Sequence, residues 1–391
     1  MSPKSPSSRI QPNLLRRLNE RMAIEILQKN GPCSRADLTR LMGISPPTAS
    51  KTVASLLSQG LVEEVNAQQT TLGRPGKLLR FSSTKKQVIG VVLDIRKCWV
   101  GMCGFDGIIS EQNSHYFATP ATYEELLDTI EDRIRLLMAN CDSTVGVGIS
   151  APGLTNSVDQ RTVFSPNLHM TDGRTPGLDM SKRLGVDCIL FQEMHALSLG
   201  ERRFGAAQGL NDFAIIDIST GLGLGVFSGG RLLEGHHGMA GELGHITVDR
   251  NGLLCGCGNR GCLETVASDE GFLRQVSVNY EKSLDLETFR QLVSSGQLRP
   301  NPEIESYSEY LAIAIASVLN IFNPSHLFVH GHLFDVIDNL WQKTIKHARE
   351  RTLVPPFQNC EIVHAKGNKE IGAIAGIIEH YMTTLAPALE N

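Results

Sequence analysis

Hydrophobic and polar positions divide this chain into a short helical head and a long α/β body. From Leu14 to Gln28 the apolar residues Leu15, Leu18, Met22 and Ile26 recur at spacings of three and four, one stripe of an amphipathic helix. Gly31-Pro32 ends it. Ser34 is placed to cap a second helix from Arg35 to Met42, with Asp37 supporting its first turn. Gly43-Ile44 turns the chain, Ser45 caps again, and Pro46 sits at the first helical position, where its missing N–H costs nothing. The pattern predicts a third helix to about Gln59 that buries Ala49, Val53, Leu56 and Leu57. Pro47, Thr48, Ser50, Lys51 and Thr52 then face outward near its start. Leu61–Val65 and Lys77–Phe81 read as strands around a polar turn that contains Gly73-Arg74-Pro75-Gly76.

After a Ser82-Ser83-Thr84 junction, Val88–Asp94 is a β-branched run that reads as a buried strand, with Trp99–Phe105 and Ile108–Ser110 as hairpin partners. Tyr123–Asn140 has helical periodicity, and Val145–Ile149 is a second buried strand leading to Ala151-Pro152-Gly153. Another strand cluster begins at Phe213–Asp217 and enters the loop Ser219-Thr-Gly-Leu-Gly-Leu-Gly225. Glu309–Phe322 reads as a long apolar helix and His326–Val329 as the strand after it. Strands alternating with helices in two successive groups imply an α/β protein of two lobes around a cleft. The expected domains are residues 1–82, a first lobe over 86–195 with a C-terminal helix at 372–385 packing back on it, and a second lobe over 196–371.

Charge sharpens the first boundary. Residues 1–80 hold 12 Lys and Arg against 5 Asp and Glu, so with a whole-chain net charge of −4 the other 311 residues carry −11. A basic head on an acidic body points to a polyanion partner for the head alone. Joined to the helical pattern, this reads as a winged helix-turn-helix that binds duplex DNA. Ser45, Pro47, Thr48, Ser50, Lys51 and Thr52 are then the positions that reach base edges. Arg74 and Lys77 belong to a Gly-Arg-Pro wing that suits a narrow minor groove. Composition is otherwise ordinary for a globular chain, 41% hydrophobic and 20% charged. No run is long and apolar enough to cross a bilayer. Met1–Ser8 lacks a secretory core, and the cysteines at 33, 98, 103, 141, 188 and 360 are scattered, which together suggest a cytoplasmic protein.

The strongest chemical signal lies between Gly238 and Glu264. His245, Cys255, Cys257 and Cys262 fall close enough to hold one metal ion. Three thiolates and an imidazole form a closed tetrahedral set for Zn²⁺ with no open position for an activated water, so the metal is expected to be structural. Free thiols packed in a Gly-rich turn are the bland alternative, and a Cys255–Cys257 disulfide would be strained.

Gly241-Glu-Leu-Gly-His245, then Cys255-Gly-Cys257-Gly-Asn-Arg-Gly-Cys262-Leu-Glu264, together with Ala151-Pro-Gly153, Ser165-Pro-Asn-Leu168 and the Gly221-x-Gly-x-Gly225 loop, resembles the ROK family of sugar kinases and sugar-responsive repressors. The resemblance covers roughly residues 86–391, and the head is similar to that of the family's repressor branch. It implies a two-lobed body of ribonuclease-H-like, actin-like ATPase type, the fold of sugar kinases, behind the winged helix-turn-helix. By the same resemblance Asn167 hydrogen-bonds sugar hydroxyls, Glu242 and Glu264 accept from them, and His245 ligates zinc while its other nitrogen faces the sugar.

Two functions from different classes follow from that resemblance. One is an ATP-dependent sugar kinase with an N-terminal extension. The other is an operator-binding repressor whose body senses a small sugar or sugar phosphate. The family's kinases carry an Asn-Asp pair whose Asp takes the proton from the attacking hydroxyl, and here that pair falls on Gln192-Glu193, each one methylene longer. Misplacing a base by about 1 Å can cost on the order of 10²-fold in rate. The kinases' Asp-x-Gly-Gly-Thr reads Asp94-Ile95-Arg96-Lys97 here, and their Gly-Gly turn under the adenine reads His330-Gly331-His332. No catalytic residue is therefore assigned. Gln192 and Glu193 join the expected sugar contacts and lean toward the family's xylose-type repressors. The expected partners are operator DNA, the sugar effector and a second copy of the chain, as a homodimer or homotetramer. Some relatives bind a phosphotransferase-system protein in place of a sugar.

Overall fold

A computed structural model describes residues 12–66 and 77–385, and its contacts divide the chain into two units. One gathers the described residues up to Ser150, the segment Thr175–Phe191, and the chain from Ala373 onward. The other holds Ala151–Arg174 and Gln192–Gly372.

In the first unit, helices α1 (Pro12–Asn30), α2 (Arg35–Met42) and α3 (Pro46–Ser58) pack around Ala23, Ile24, Leu27, Leu38, Met42, Ala49, Val53 and Leu56, all buried. The first helix forms where its periodicity predicts, but with another face inward. Leu15 and Met22 are 46% and 41% exposed, while Glu20, Ala23, Ile24 and Leu27 make the buried stripe. Those four residues also recur at spacings of three and four, so the period fixed the helix and left its rotation open. Buried Glu20 accepts a hydrogen bond from Ser55 Oγ at 2.7 Å. Strands Val62–Asn66 and Lys77–Phe81 pair antiparallel, Val62 opposite Phe81, and Cys33–Ser34 adds a short third strand. The turn between them, with Arg74, lies outside the described residues.

Behind this head stands a five-stranded sheet in the order Cys188–Gln192, Ser143–Ala151, Lys86–Val92, Lys97–Cys103, Ser114–Ala118. The edge strand is a correction, because Ile108–Ser110 does not pair. The chain turns at Gly104–Gly107, where Gly107 N–H donates to Gly104 and Asp106 accepts from Ile108 N–H, leaving Ile108 74% exposed. Pairing resumes with Ser114 opposite Gly101 and runs to Ala118 opposite Lys97.

Helix Lys369–Leu385 is bedded on one face of this sheet, its buried side formed by Ala373, Ile374, Ile377 and Ile378. Glycines make the bed. A Cβ on Gly148 would stand 2.2 Å from the Ala373 carbonyl oxygen, and one on Gly146 would stand 2.9 Å from Ile377.

The second unit repeats the strand order of the first, something no short sequence period reveals. Its sheet runs Arg231–Leu232, Leu222–Ser228, Phe213–Ile218, His326–Gly331, Glu361–His364. Along Phe213–Ile218 the side chains alternate between two cores. Ala214, Ile216 and Ile218 join Leu311, Ile315 and Val318 of the long helix Asn301–Phe322, while Phe213 and Ile215 meet Met194 and Leu197 of helix Glu193–Phe204. The sheet is thus buried on both faces, as its unbroken apolar run requires. Residues 151–174, assigned from sequence to the first lobe, pack here because the hairpin Leu154–Asn156 with Arg161–Phe164 is tied to the turn at 236–238 through Ser157 N–H and the His237 carbonyl at 2.9 Å. Among the described residues no helix is long and apolar enough to cross a membrane.

The glycine bed generates a test. Gly148→Ala forces the C-terminal helix off the sheet and should cost about 1–3 kcal/mol, read as a lowered urea midpoint; unchanged stability would mean that the helix is not held at van der Waals contact.

Candidate functional site

Helix α3 presents its start to solvent. Ser45, Pro47, Ser50 and Lys51 are exposed and Thr48 is half-buried. Ser45 sits at the cap position, but its hydroxyl pairs with Thr48 Oγ1 at 2.9 Å and makes no cap bond to the backbone. Thr52 is a correction. It is 2% exposed, with its hydroxyl donating to the Thr48 carbonyl, so it belongs to the packed face. Leu57, expected in the core, is only half-buried. Ser34 does cap α2, accepting from Asp37 N–H at 3.1 Å.

The head's net positive charge is unevenly distributed. All five of its carboxylates are engaged by neighbouring bases. Glu20 pairs with Arg16, Glu25 with Arg21, Asp37 with Arg40, Glu63 with Arg80, and Glu64 with both Arg35 and Lys77. Lys77, expected on DNA, therefore carries a partner at 2.7 Å. Lys51, exposed at the start of α3, has no acidic partner among the described residues. Nor does the head hang on a loose linker. Ser82 is buried and its hydroxyl accepts from Lys85 N–H. Gln28 donates to the Phe105 carbonyl at 2.7 Å, Phe105 packs between Phe81 and Tyr381, and Tyr381 donates to Gln59 Oε1 at 3.4 Å.

In the second unit, His245, Cys255, Cys257 and Cys262 bring one ligand atom each within 4.8 Å of one another. Cys255 Sγ lies 3.6 Å from His245 Nδ1, and Cys257 Sγ lies 3.7 Å from Cys262 Sγ. Metal–sulfur bonds of about 2.3 Å in a tetrahedron give ligand spacings of about 3.8 Å. The donor set and its edges therefore fit one tetrahedral ion. Local backbone explains the closeness. Bridges pair Thr247 with Cys262 and Leu254 with Arg260, and Gly261, at φ +69°, passes so near Asp249 that a Cβ would meet its carbonyl oxygen at 1.5 Å.

The same loop carries two of the expected sugar carboxylates. His245 turns Nδ1 to the thiols and leaves Nε2 3.7 Å from Glu242 Oε2. Burial raises the Glu242 carboxyl above its ordinary range, and the charge of Glu264 adds to this while His245 opposes it. Glu264 Oε2 accepts from Leu222 N–H at 3.1 Å, and Gly221 leaves it room. Pro166, beside Asn167, approaches Gly256 of the metal loop, where a Cβ would stand 3.3 Å away. Asn167 itself is exposed on its turn. Gln192 caps helix Glu193–Phe204, its Oε1 accepting from His195 N–H at 3.0 Å. Glu193 Oε1 lies 2.5 Å from Lys369 Nζ. Sequence reasoning missed Lys369, since a lone Lys opening a helix carries no pattern.

The positions that would handle nucleotide are occupied by side-chain contacts. At Asp94–Lys97 the aspartate accepts from Ile95 N–H, and the Lys97 ammonium sits 4.1 Å above the Tyr116 ring. His332 is held by Asp269 through both its N–H and its ring, which raises the imidazole above its usual range. His330 is buried 3.5 Å from Asp217. Burial works to raise the Asp217 carboxyl, but His330 and Lys369 hold it below its normal value.

The model of the ROK family matches residues 96–378, and that of the MarR family, a DNA-binding head, matches residues 17–69. The chain belongs to the ROK family. The xylose repressor of Bacillus spizizenii is 27% identical to this ROK protein over 374 residues, covering 94% of this chain and 97% of the relative. The DNA-binding transcriptional dual regulator NagC of Escherichia coli is 25% identical, covering 89% and 85%. Among solved structures, a ROK family transcriptional regulator described as a homologue of the E. coli MLC protein superposes with a TM-score of 0.79 at 26% identity, covering 95% of this chain and 98% of its own. A ROK glucokinase from Streptomyces griseus shares the fold of the body, with a TM-score of 0.65 at 24% identity over 75% of this chain and 98% of the glucokinase.

Removing one ligand tests the metal loop. Cys257→Ser should drop bound zinc from about one per chain to near zero and lower the melting temperature. Full zinc content by elemental analysis would show that the thiol is not a ligand.

Proposed function

We propose that this ROK protein is a sugar-responsive transcriptional repressor. It binds operator DNA through α3 and the wing, and senses a small sugar through Asn167, Glu193, Glu242, His245 and Glu264. The ion at His245, Cys255, Cys257 and Cys262 is Zn²⁺ in a structural role. Its chemistry is to fix the His245 ring and the Glu264 turn before a ligand arrives. Carboxylates and amides match the donors and acceptors of a polyol, so the residues on this loop bind and orient rather than react.

One observation carries the choice of regulator over kinase. Glu193, at the position of the kinases' base, is neutralised by Lys369 at 2.5 Å, and a carboxylate paired to an ammonium is a poor acceptor for a hydroxyl proton. The altered Asp94–Lys97 and His330–His332 positions support the same reading. The repressor acts as a homodimer or dimer of dimers on a pseudo-palindromic operator, one α3 per half-site. Sugar binding changes operator affinity by about 5–150-fold, the usual range of such coupling.

Operator retention measured with and without a sugar panel should shift for at least one sugar, and no phosphoryl transfer from ATP should accompany it. Indifference to every sugar, or brisk ATP-dependent phosphorylation, overturns the proposal. For the wing, Arg74→Ala should weaken binding to A·T-rich operators more than to scrambled duplex; an equal loss on both would reduce Arg74 to a phosphate contact.

A further inference from the structure

Resting on the sugar-sensing reading above, we infer that the site selects unphosphorylated sugars over sugar phosphates, with Glu264 on the Leu222 amide and Glu193 on Lys369 as the residues that decide it.

A phosphate ester needs backbone amides or cations, and two of those beside the expected sugar contacts, the Leu222 amide and the Lys369 ammonium, are held by carboxylates. The Gly-rich loop Ser219–Gly225 has the makings of a phosphate cradle. Its Leu222 N–H instead binds Glu264 Oε2 at 3.1 Å, and a Cβ at Gly221 would stand 2.7 Å from that same oxygen. The loop therefore already holds an anion, one supplied by this chain. Ser219, at its start, donates N–H to the Gly221 carbonyl and its hydroxyl to Asp217 Oδ2. Further along, Ile216 to Ile218 pair with Leu222 to Leu224 in the sheet, which engages the next stretch of backbone.

Lys369 and His332 are engaged in the same way. Lys369 is bound to Glu193, and His332 gives both its N–H and its ring to Asp269. His245 has one nitrogen toward the thiols and the other toward Glu242. When zinc is bound, three thiolates around a divalent ion leave one net negative charge beside Glu242 and Glu264. A phosphate dianion placed among these groups meets repulsion at close range, whereas sugar hydroxyls meet acceptors. The buried polar atoms left without a partner on the flanking segments, Ser165 Oγ and His195 Nε2, are neutral. Burial holds the His195 imidazole down to about 4, so it remains uncharged at neutral pH. Such groups suit hydroxyls and bring no positive charge to a phosphate.

The test is calorimetric titration of the full-length zinc-loaded protein with matched pairs: xylose and xylose 5-phosphate, glucose and glucose 6-phosphate, N-acetylglucosamine and its 6-phosphate. The expected result is that the free sugar of at least one pair binds and its phosphate ester binds at least about tenfold more weakly. A phosphate ester that binds as tightly as its free sugar, or more tightly, overturns this inference and leaves the sugar-sensing reading standing. Binding of neither member of any pair overturns both. Glu193→Gln, which removes the carboxylate charge set against Lys369, should move the ratio about tenfold toward the phosphate ester, and a ratio that does not move removes Glu193 and Lys369 as the deciding residues. Because the wild-type ratio is informative by itself, a variant that fails to fold leaves the inference open to refutation.

Discussion

The geometry of the ligand site depends on four side chains meeting at one point. His245, Cys255, Cys257 and Cys262 close a loop of 18 residues that has almost no regular secondary structure, only two isolated bridges and a short 3₁₀ turn at Leu243–His245. Loops of that length have little to resist the entropy of opening. An ion held by these four side chains would replace the missing hydrophobic core, which fits the exposure of Ile246, Leu253 and Leu254 along the same stretch. Glu242 and Glu264 flank this staple, so whatever fixes the ligands fixes the two carboxylates.

From there the order extends into the sheet. Glu264 reaches across to the Leu222 amide at the start of a central strand, and that strand pairs with Phe213–Ile218 in unbroken register. Helix Glu193–Phe204 packs on the same strands through Met194 and Leu197, so Glu193 is positioned by one face of the sheet that positions Glu264. A site assembled on buried strands is stiffer than one assembled on loops. For His245, Cys255, Cys257 and Cys262 a shared ion would achieve what the strands achieve through packing.

How much of this was legible in the sequence varied with the kind of signal. The convergence of His245 with Cys255, Cys257 and Cys262 was readable because cysteine spacing is a direct record of geometry. The head's helices were readable from periodicity and caps, as Ser34 shows, yet the rotation of α1 was not. Its stripe through Leu15 and Met22 and its stripe through Ala23, Ile24 and Leu27 are both regular, and only the packing of α2 and α3 chose between them. Thr52 misled because a β-branched polar residue one turn along α3 satisfies its hydroxyl on the Thr48 carbonyl and so can be buried. The edge strand moved from Ile108 to Ser114 because a turn held by Asp106 intervened. Lys369 was invisible, since an ion pair between residues 176 positions apart leaves no local trace.

The head presents a related problem of charge. Seven net positive charges in the first 80 residues suggested a broad electrostatic footprint, but five carboxylates are placed against six bases within the described residues. Those pairs are mostly exposed, and exposed pairs contribute little stability. Their greater effect is on recognition. Pairing Arg35 and Lys77 to Glu64 and Arg80 to Glu63 thins the nonspecific field along the strands, while Lys51 on α3 has no such partner among the described residues. Because phosphate attraction is blind to sequence, a head that neutralises its flanks loses affinity for random duplex faster than for its own operator. The distribution of charge thereby favours specificity, and it does so in residues whose summed composition argued only for affinity.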